Sequence, residues 1–440
     1  MNSKNLVRVG VFGALLVVCG LCALTAYGTI GWMRRNVSNI GAWEYGGQSA
    51  QVTETRAFNV VPNLEISADY GDIQVTAADV SEIEVEMIKT AWAPTVEEAE
   101  ASAEAMTVRV TEGTDTLTLI YDKPDEINIV GRNGPDSIDF VVRVPAETSV
   151  NLNSSFGKID ISGLVGDAQL ESQFGDLDVE NLTGALDAKS SNATITVKQV
   201  EAGEGEVGVD TSFGSITVES VTANDILVIT SNGNITARKL TAKETLQIEN
   251  QFGAIEVFDV QAATLTIENS NGKISVDAGQ VGELISASNQ FGDVKVVNVD
   301  SPAYQLSTSN GDLTVGGATG SLKLENSFGA ITITGATNVS LDVKGSNGGI
   351  TFSGSLNPTA HTVKTSFGDI TLTIPENSSF DVVLDASFGT VESELPLSLT
   401  GTLENGTEND HWEASMNGGG PELKATTSNG NITLQVLPSE

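Results

Sequence analysis

The sequence predicts an all-β fold, a single-chain β-solenoid (β-helix-like) of about 19-residue coils. Three observations carry this. First, a five-residue phrase recurs from Ser154 to Ile432: Ser, Gln or Asn, then Phe or Asn, then Gly, any residue, then Ile, Leu or Val. It reads Ser155-Phe156-Gly157-Lys158-Ile159 and Gln173-Phe174-Gly175-Asp176-Leu177, and in Ser191-Asn192-Ala193-Thr194-Ile195 an Ala replaces the Gly. The Gly returns at Gly214, Gly233, Gly253, Gly272, Gly292, Gly311, Gly329, Gly348, Gly368, Gly389 and Gly430, in steps of mostly 18 to 21 residues with a last step of 41. Second, apolar columns flank the phrase. Leu152, Leu170, Val228 and Ile248 stand five residues before the Gly position, and Ile161, Val179, Val197 and Val257 four after it. Apolar residues two apart, with polar ones between, are the signature of a strand. Third, the residue before the Gly alternates from Phe174 through Asn192, Phe213, Asn232, Phe252, Asn271, Phe291, Asn310, Phe328 and Asn347 to Phe367. Either the true repeat is a double coil of about 38 residues, or neighbouring coils take alternate corner types.

Each unit reads as strand, tight turn at the phrase, strand and a second turn, for which Gly163, Gly166, Gly184, Gly316 and Gly335 are candidates. A short antiparallel meander shows the same alternation, and the regular period favours the solenoid over a β-sandwich array. With strands ~4.8 Å apart, some fourteen coils make a rod of roughly 65–70 Å. Asn suits a turn because it tolerates left-handed backbone. Phe suits a corner as an apolar plug, and corner packing is the expectation for the Phe row, with a binding role for an exposed row as its rival.

Taken in order, the chain begins with residues 1–35 as a membrane anchor. Val9 to Met33 carry no charged side chain, and a stretch of that length crosses a bilayer as a helix. Lys4 and Arg8 on one side and Arg34 and Arg35 on the other leave its orientation open. A cleaved signal peptide is the rival reading, but its apolar region is usually shorter. Cys19 and Cys22 lie within this stretch without further Cys or nearby His, so they read as small membrane-helix residues. Residues 36–50 read as a tether. Residues 51–148 read as a small α+β cap. It includes a first coil, Leu64 to Val75 around Gly71, and a helix from Thr95 to Met106. Residues 149–440 form the solenoid proper, with an insertion at 394–424 whose turns and Trp412 close the far end.

Charge narrows the function classes. The chain has 22 basic and 58 acidic residues, a net −36. Such a field disfavours nucleic acid and anionic membrane surfaces as partners and keeps a long sheet soluble.

The repeated phrases, Phe140-Val141-Val142-Arg143-Val144-Pro145, and the C-terminal Ser387-Phe388-Gly389, Gly418-Gly419-Gly420 and Ser428-Asn429-Gly430 together resemble the bacterial putative-adhesin family of β-strand repeat domains, a family of unknown function. The likeness covers about residues 55 to 437. It implies an envelope-associated β-helix-like domain, often behind one membrane helix, and no catalytic residues.

Sites for chemistry are sparse. A glycosidase needs two carboxylates ~5–10 Å apart. Asp176, Asp293, Asp312 and Asp369 follow the phrase Gly, but Lys158, Thr194, Ser215, Asn234, Lys273 and Ala330 interrupt the column. Calcium-binding β-rolls use a shorter repeat, so these aspartates read as solvated turn residues. His361 and His411 are the only histidines and stand apart in sequence. Thr196, Thr217, Thr236, Thr314, Thr332, Thr351, Thr371 and Thr433 form a column that suits an outward strand face. No catalytic, cofactor-binding or metal-ligating residue is expected, and no cofactor. The expectation is a non-catalytic, adhesin-like interaction or scaffold module on the outer side of a bacterial cytoplasmic membrane. It is held through residues 9–33, with an envelope glycan or surface protein as partner. The rival is a β-helix lyase or hydrolase acting on envelope polysaccharide.

Overall fold

The computed structural model describes residues 47–122, 135–405 and 410–438. The expected membrane helix, and the tether up to residue 46, lie outside the described residues. No described helix is long and apolar enough to cross a membrane. Residues 48–50, expected in the tether, belong to the strand Gln48–Phe58.

The solenoid forms because each coil repeats the same two apolar columns. The leading strand, before the phrase, pairs in parallel with leading strands above and below. Leu170 sits between Leu152 and Ala188. Trailing strands do the same, with Leu177 between Ile159 and Ile195. All six of these side chains are buried. Three strands, Ile255–Asn271, Ile274–Phe291 and Ile331–Asn347, run from one coil's trailing side into the next coil's leading side without a break.

Two corners turn each coil. At the phrase, backbones of successive coils approach so closely that a Cβ on Gly292 would lie 2.3 Å from the carbonyl oxygen of Gly272. Its φ of +130° is itself glycine territory. The second corner takes a left-handed residue six places after the phrase Gly. Gly163 and Gly335 occupy it as expected, but so do Asn181, Gln199, Ser220, Lys239, Asp259, Ala278 and Asn298, all with φ between +53° and +63°. Gly316 is displaced from this role by Gly317, whose φ is +70°.

Both ends depart from sequence order. The Gly71 coil, Asn63–Tyr70 and Ile73–Ala77, rests on Ser149–Phe156 and Ile159–Ser162. Its other side is covered by Thr116–Tyr121 and Ser137–Val144, which come later in sequence yet lie further out. At the far end Glu422–Asn429 and Ile432–Val436, last in the chain, slot between His361–Phe367 and Ile370–Ile374 on one side and Phe380–Phe388 and Val391–Ser393 on the other. Each end therefore has its two terminal coils exchanged.

Antiparallel strands then cover the outer coils, as an open parallel edge would otherwise recruit other chains. Ile83–Ala93 lies on Ser137–Val144, and Gln48–Phe58 on Ile83–Ala93. Asp410–Met416 lies on Phe380–Phe388, and Leu397–Asn405 on Asp410–Met416. Helix α1, Val96–Ala105, starts where the Thr95 hydroxyl accepts from the Glu98 N–H at 3.2 Å, and it buries Ala99 and Ala103.

Candidate functional site: an exposed Phe–Asn edge

The residue before the phrase Gly does not plug the corner. Phe213, Phe252, Phe291, Phe328, Phe367 and Phe388 are 51% to 63% exposed. Corner packing is thus corrected, for a geometric reason. The close backbone approach at the Gly leaves no room inward, and the preceding residue projects from the bend. The inward position is taken two residues earlier by a polar column. Thr230, Asn250, Asn269, Asn289, Thr308 and Asn326 are buried there. Each reaches the phrase carbonyl of the preceding coil; Asn250 Nδ2 donates to Gly233 at 2.8 Å and Thr308 Oγ1 to Gly292 at 3.0 Å. These bonds satisfy carbonyls that the turn would otherwise leave buried and unpaired. Sequence reasoning missed this column. Its signal was a Ser, Thr or Asn recurring where strict alternation calls for an apolar residue.

In space the Phe and Asn residues form one line. Phe252 pairs with Asn271, Asn271 with Phe291, Phe291 with Asn310, Asn310 with Phe328 and Phe328 with Asn347. Asn347 then meets Phe367, Phe367 meets Asn429, and Asn429 meets Phe388. The alternation, broken in sequence by Phe367 and Phe388 in succession, is restored because the last two coils are exchanged. At the opposite end the line becomes a continuous stack. Tyr70, Phe156 and Phe174 lie nearly parallel, with centroids 4.8 and 4.9 Å apart. Asn271 and Asn347 spend one amide N–H on long contacts of 3.4 Å to backbone carbonyls of the adjacent coil.

The turn aspartates have a different task from the one expected. Asp176 accepts from the Thr194 N–H at 2.9 Å, Asp293 from Asp312 at 2.8 Å, Asp312 from Ala330 at 2.8 Å and Asp369 from Asn431 at 2.7 Å. They tie coil to coil through the backbone, and among the described residues no cluster of metal-ligating type is present. The Thr column stacks in two runs, Thr196 to Thr236 and Thr314 to Thr433, separated by Glu256, Ser275 and Lys295.

The histidines do not stand alone. His361 is buried; its Nδ1 accepts from the Leu341 N–H at 3.2 Å, so Nε2 carries the proton towards Asn357 O at 2.9 Å. Desolvation holds its pKa below the ordinary value. His411 lies 4.0 Å from Asp385 and 3.5 Å from Glu413.

A second feature is an open groove of about 1120 Å³ on the outer face of the leading strands, lined by Asn151, Gln169, Asp187, Lys189, Gly208 and Asp210 among others. Asp187 pairs with Lys189 at 2.6 Å. Asp210 is solvent-exposed, and partial desolvation by its neighbours, opposed by Lys189, raises its pKa.

The chain matches the Toastrack DUF4097 family over residues 61–316 and 259–435. No curated protein matches. Similar solved structures include a putative adhesin from Bacteroides fragilis, with 15% identity over 61% of this chain and 96% of that one and a TM-score of 0.31. Another is a putative cell adhesion protein from Clostridium sporogenes, with 8% identity over 88% and 100% and a TM-score of 0.20. A third is a putative lipid binding protein from Parabacteroides distasonis, with 14% identity over 74% and 94% and a TM-score of 0.21. Likeness this distant says nothing of what this chain binds.

Proposed function

Because the chain belongs to the Toastrack DUF4097 family, we propose that it is a non-catalytic, adhesin-like interaction module whose binding surface is the Phe–Asn edge. The observation that carries this reading is the line of half-exposed Phe side chains repeated on every second coil. Exposed aromatics in a rigid row are unusual on a soluble sheet and typical of recognition surfaces. Each contact is weak, and affinity comes from many of them engaged together. The proposal extends to placement: the module stands on the outer side of a bacterial cytoplasmic membrane, held through residues 9–33. Retention on isolated envelope material should fall when Phe252, Phe291 and Phe328 are all changed to Ser. Undiminished retention, with an unchanged melting temperature, would remove the edge from its role.

The alternative, a β-helix lyase or hydrolase acting on envelope polysaccharide, is favoured by one observation. The groove holds two carboxylates around one ammonium, Asp187 at 2.6 Å from Lys189 and Asp210 opposite Lys189 on the next coil, with the Asp210 pKa raised by desolvation against the pull of Lys189. Release of soluble sugar that disappears in Asp210→Asn would establish it over the adhesin-like reading.

A further inference from the structure

We infer that the Phe–Asn edge binds an uncharged, β-linked polysaccharide chain lying along the solenoid axis, an inference that rests on the edge being the binding surface proposed above. The spacing is the first argument. Strands of neighbouring coils lie ~4.8 Å apart, so Phe residues on every second coil recur every ~9.6 Å. An extended β-1,4-linked pyranose chain turns each sugar over relative to the last and so presents the same ring face at every second sugar. A row of Phe side chains at that spacing meets alternate sugars of one such chain over several repeats.

The residues between the rings supply the second argument. Asn232, Asn271, Asn310, Asn347 and Asn429 occupy the intervening coils. A carboxamide both donates and accepts, which matches the hydroxyls that ring the edge of a sugar. Ser and Gln side chains stand beside the row, at Gln251, Ser270, Gln290 and Ser309.

Charge provides the third. With a net −36, the protein repels polyanionic glycans, and it repels a second copy of itself. A neutral chain meets neither barrier. The Phe ring also carries no charge that the surrounding acidic surface would compete for.

The test uses the chain as it exists, with residues 1–440 in detergent, in affinity electrophoresis through gels holding a soluble β-1,4-glucan, a soluble chitin derivative without charge, or alginate as the polyanion. Retardation by at least one neutral glycan and none by alginate is expected. The variant with Phe252, Phe291 and Phe328 changed to Ser should lose it by about tenfold or more in apparent affinity. Asn271→Ala with Asn310→Ala should weaken it less. Since all three Phe are more than half exposed, the variant should melt at the wild-type temperature. Retention on envelope material that depends on the Phe residues, without retardation by either neutral glycan, overturns this inference and leaves the interaction module standing. Retardation equal in wild type and variant overturns both. A dimer seen by sedimentation and abolished by the triple variant assigns the edge to a second copy instead.

Discussion

Gly292 and Lys239 sit at the two corners of the coil and face opposite demands. At Gly292 the obstacle is the neighbouring backbone: a Cβ would meet the Gly272 carbonyl at 2.3 Å. Gly292→Val should therefore cost about 3 kcal/mol, since both the backbone strain and the coil spacing are violated. Thr332→Ser, on the outward face, should stay within about 0.5 kcal/mol. Urea melts that gave equal losses would show that the corner has slack. At the second corner the strain already exists. Lys239 at φ +53°, Gln199 at +55° and Ala278 at +63° hold a conformation that costs an L-residue ~1–2 kcal/mol. Glycine removes that cost but loses more freedom on folding, by roughly 0.5–1 kcal/mol. Each change to Gly should thus gain about 0.5 kcal/mol, and the three together about 1.5, because they lie on coils that do not touch. A melting temperature that fell would mean the side chains themselves hold the corner. His361 adds a dependence on pH. Below its ordinary value of 6.5, the unfolded imidazole takes up a proton that the buried one refuses. Stability should fall as the pH drops from 7 to 5, and His361→Gln should flatten that part of the slope.

The coil shows how much of the element was legible in the sequence. The apolar columns at Leu170 and Val179 and the turn at Gly175 follow directly from the spacing, because burial on one face enforces a period of two. The exchange of terminal coils was not legible from those columns. Glu422–Asn429 offers the same inward residues as any other leading strand, with Leu423 and Ala425 buried against His361–Phe367. Stacking between such similar neighbours is nearly degenerate, so the apolar pattern cannot rank coil orders. The one trace left in sequence was the succession of Phe367 and Phe388 where an Asn was due. The candidate site was half legible. The alternation itself stood out, but its direction did not, since inward and outward residues at a bend obey no simple period. What decided it was the buried Thr and Asn column, whose bonds to the phrase carbonyls take the inward place.

At the scale of the whole molecule, the Phe–Asn line makes coil number a matter of parity, which permits a test that composition alone could not offer. Stability in a solenoid is mostly a sum over neighbouring coils, so removing residues 254–272 or 254–292 should in each case leave a folded rod. The first deletion takes out one coil and brings Phe252 next to Phe291. The stack of Tyr70, Phe156 and Phe174 shows that adjacent rings are accommodated in this corner. The second takes out two coils and brings Phe252 next to Asn310, so the alternation continues. If the edge binds a periodic partner, the longer deletion should lower retention only in proportion to the contacts removed. The shorter one should lower it more, because the two halves of the row fall out of phase by one coil and no single straight chain can engage both. A loss that simply followed the number of coils deleted would deny any role to the period. A loss ordered by parity, with the shorter deletion the more damaging, is a result that neither misfolding nor bulk hydrophobicity produces.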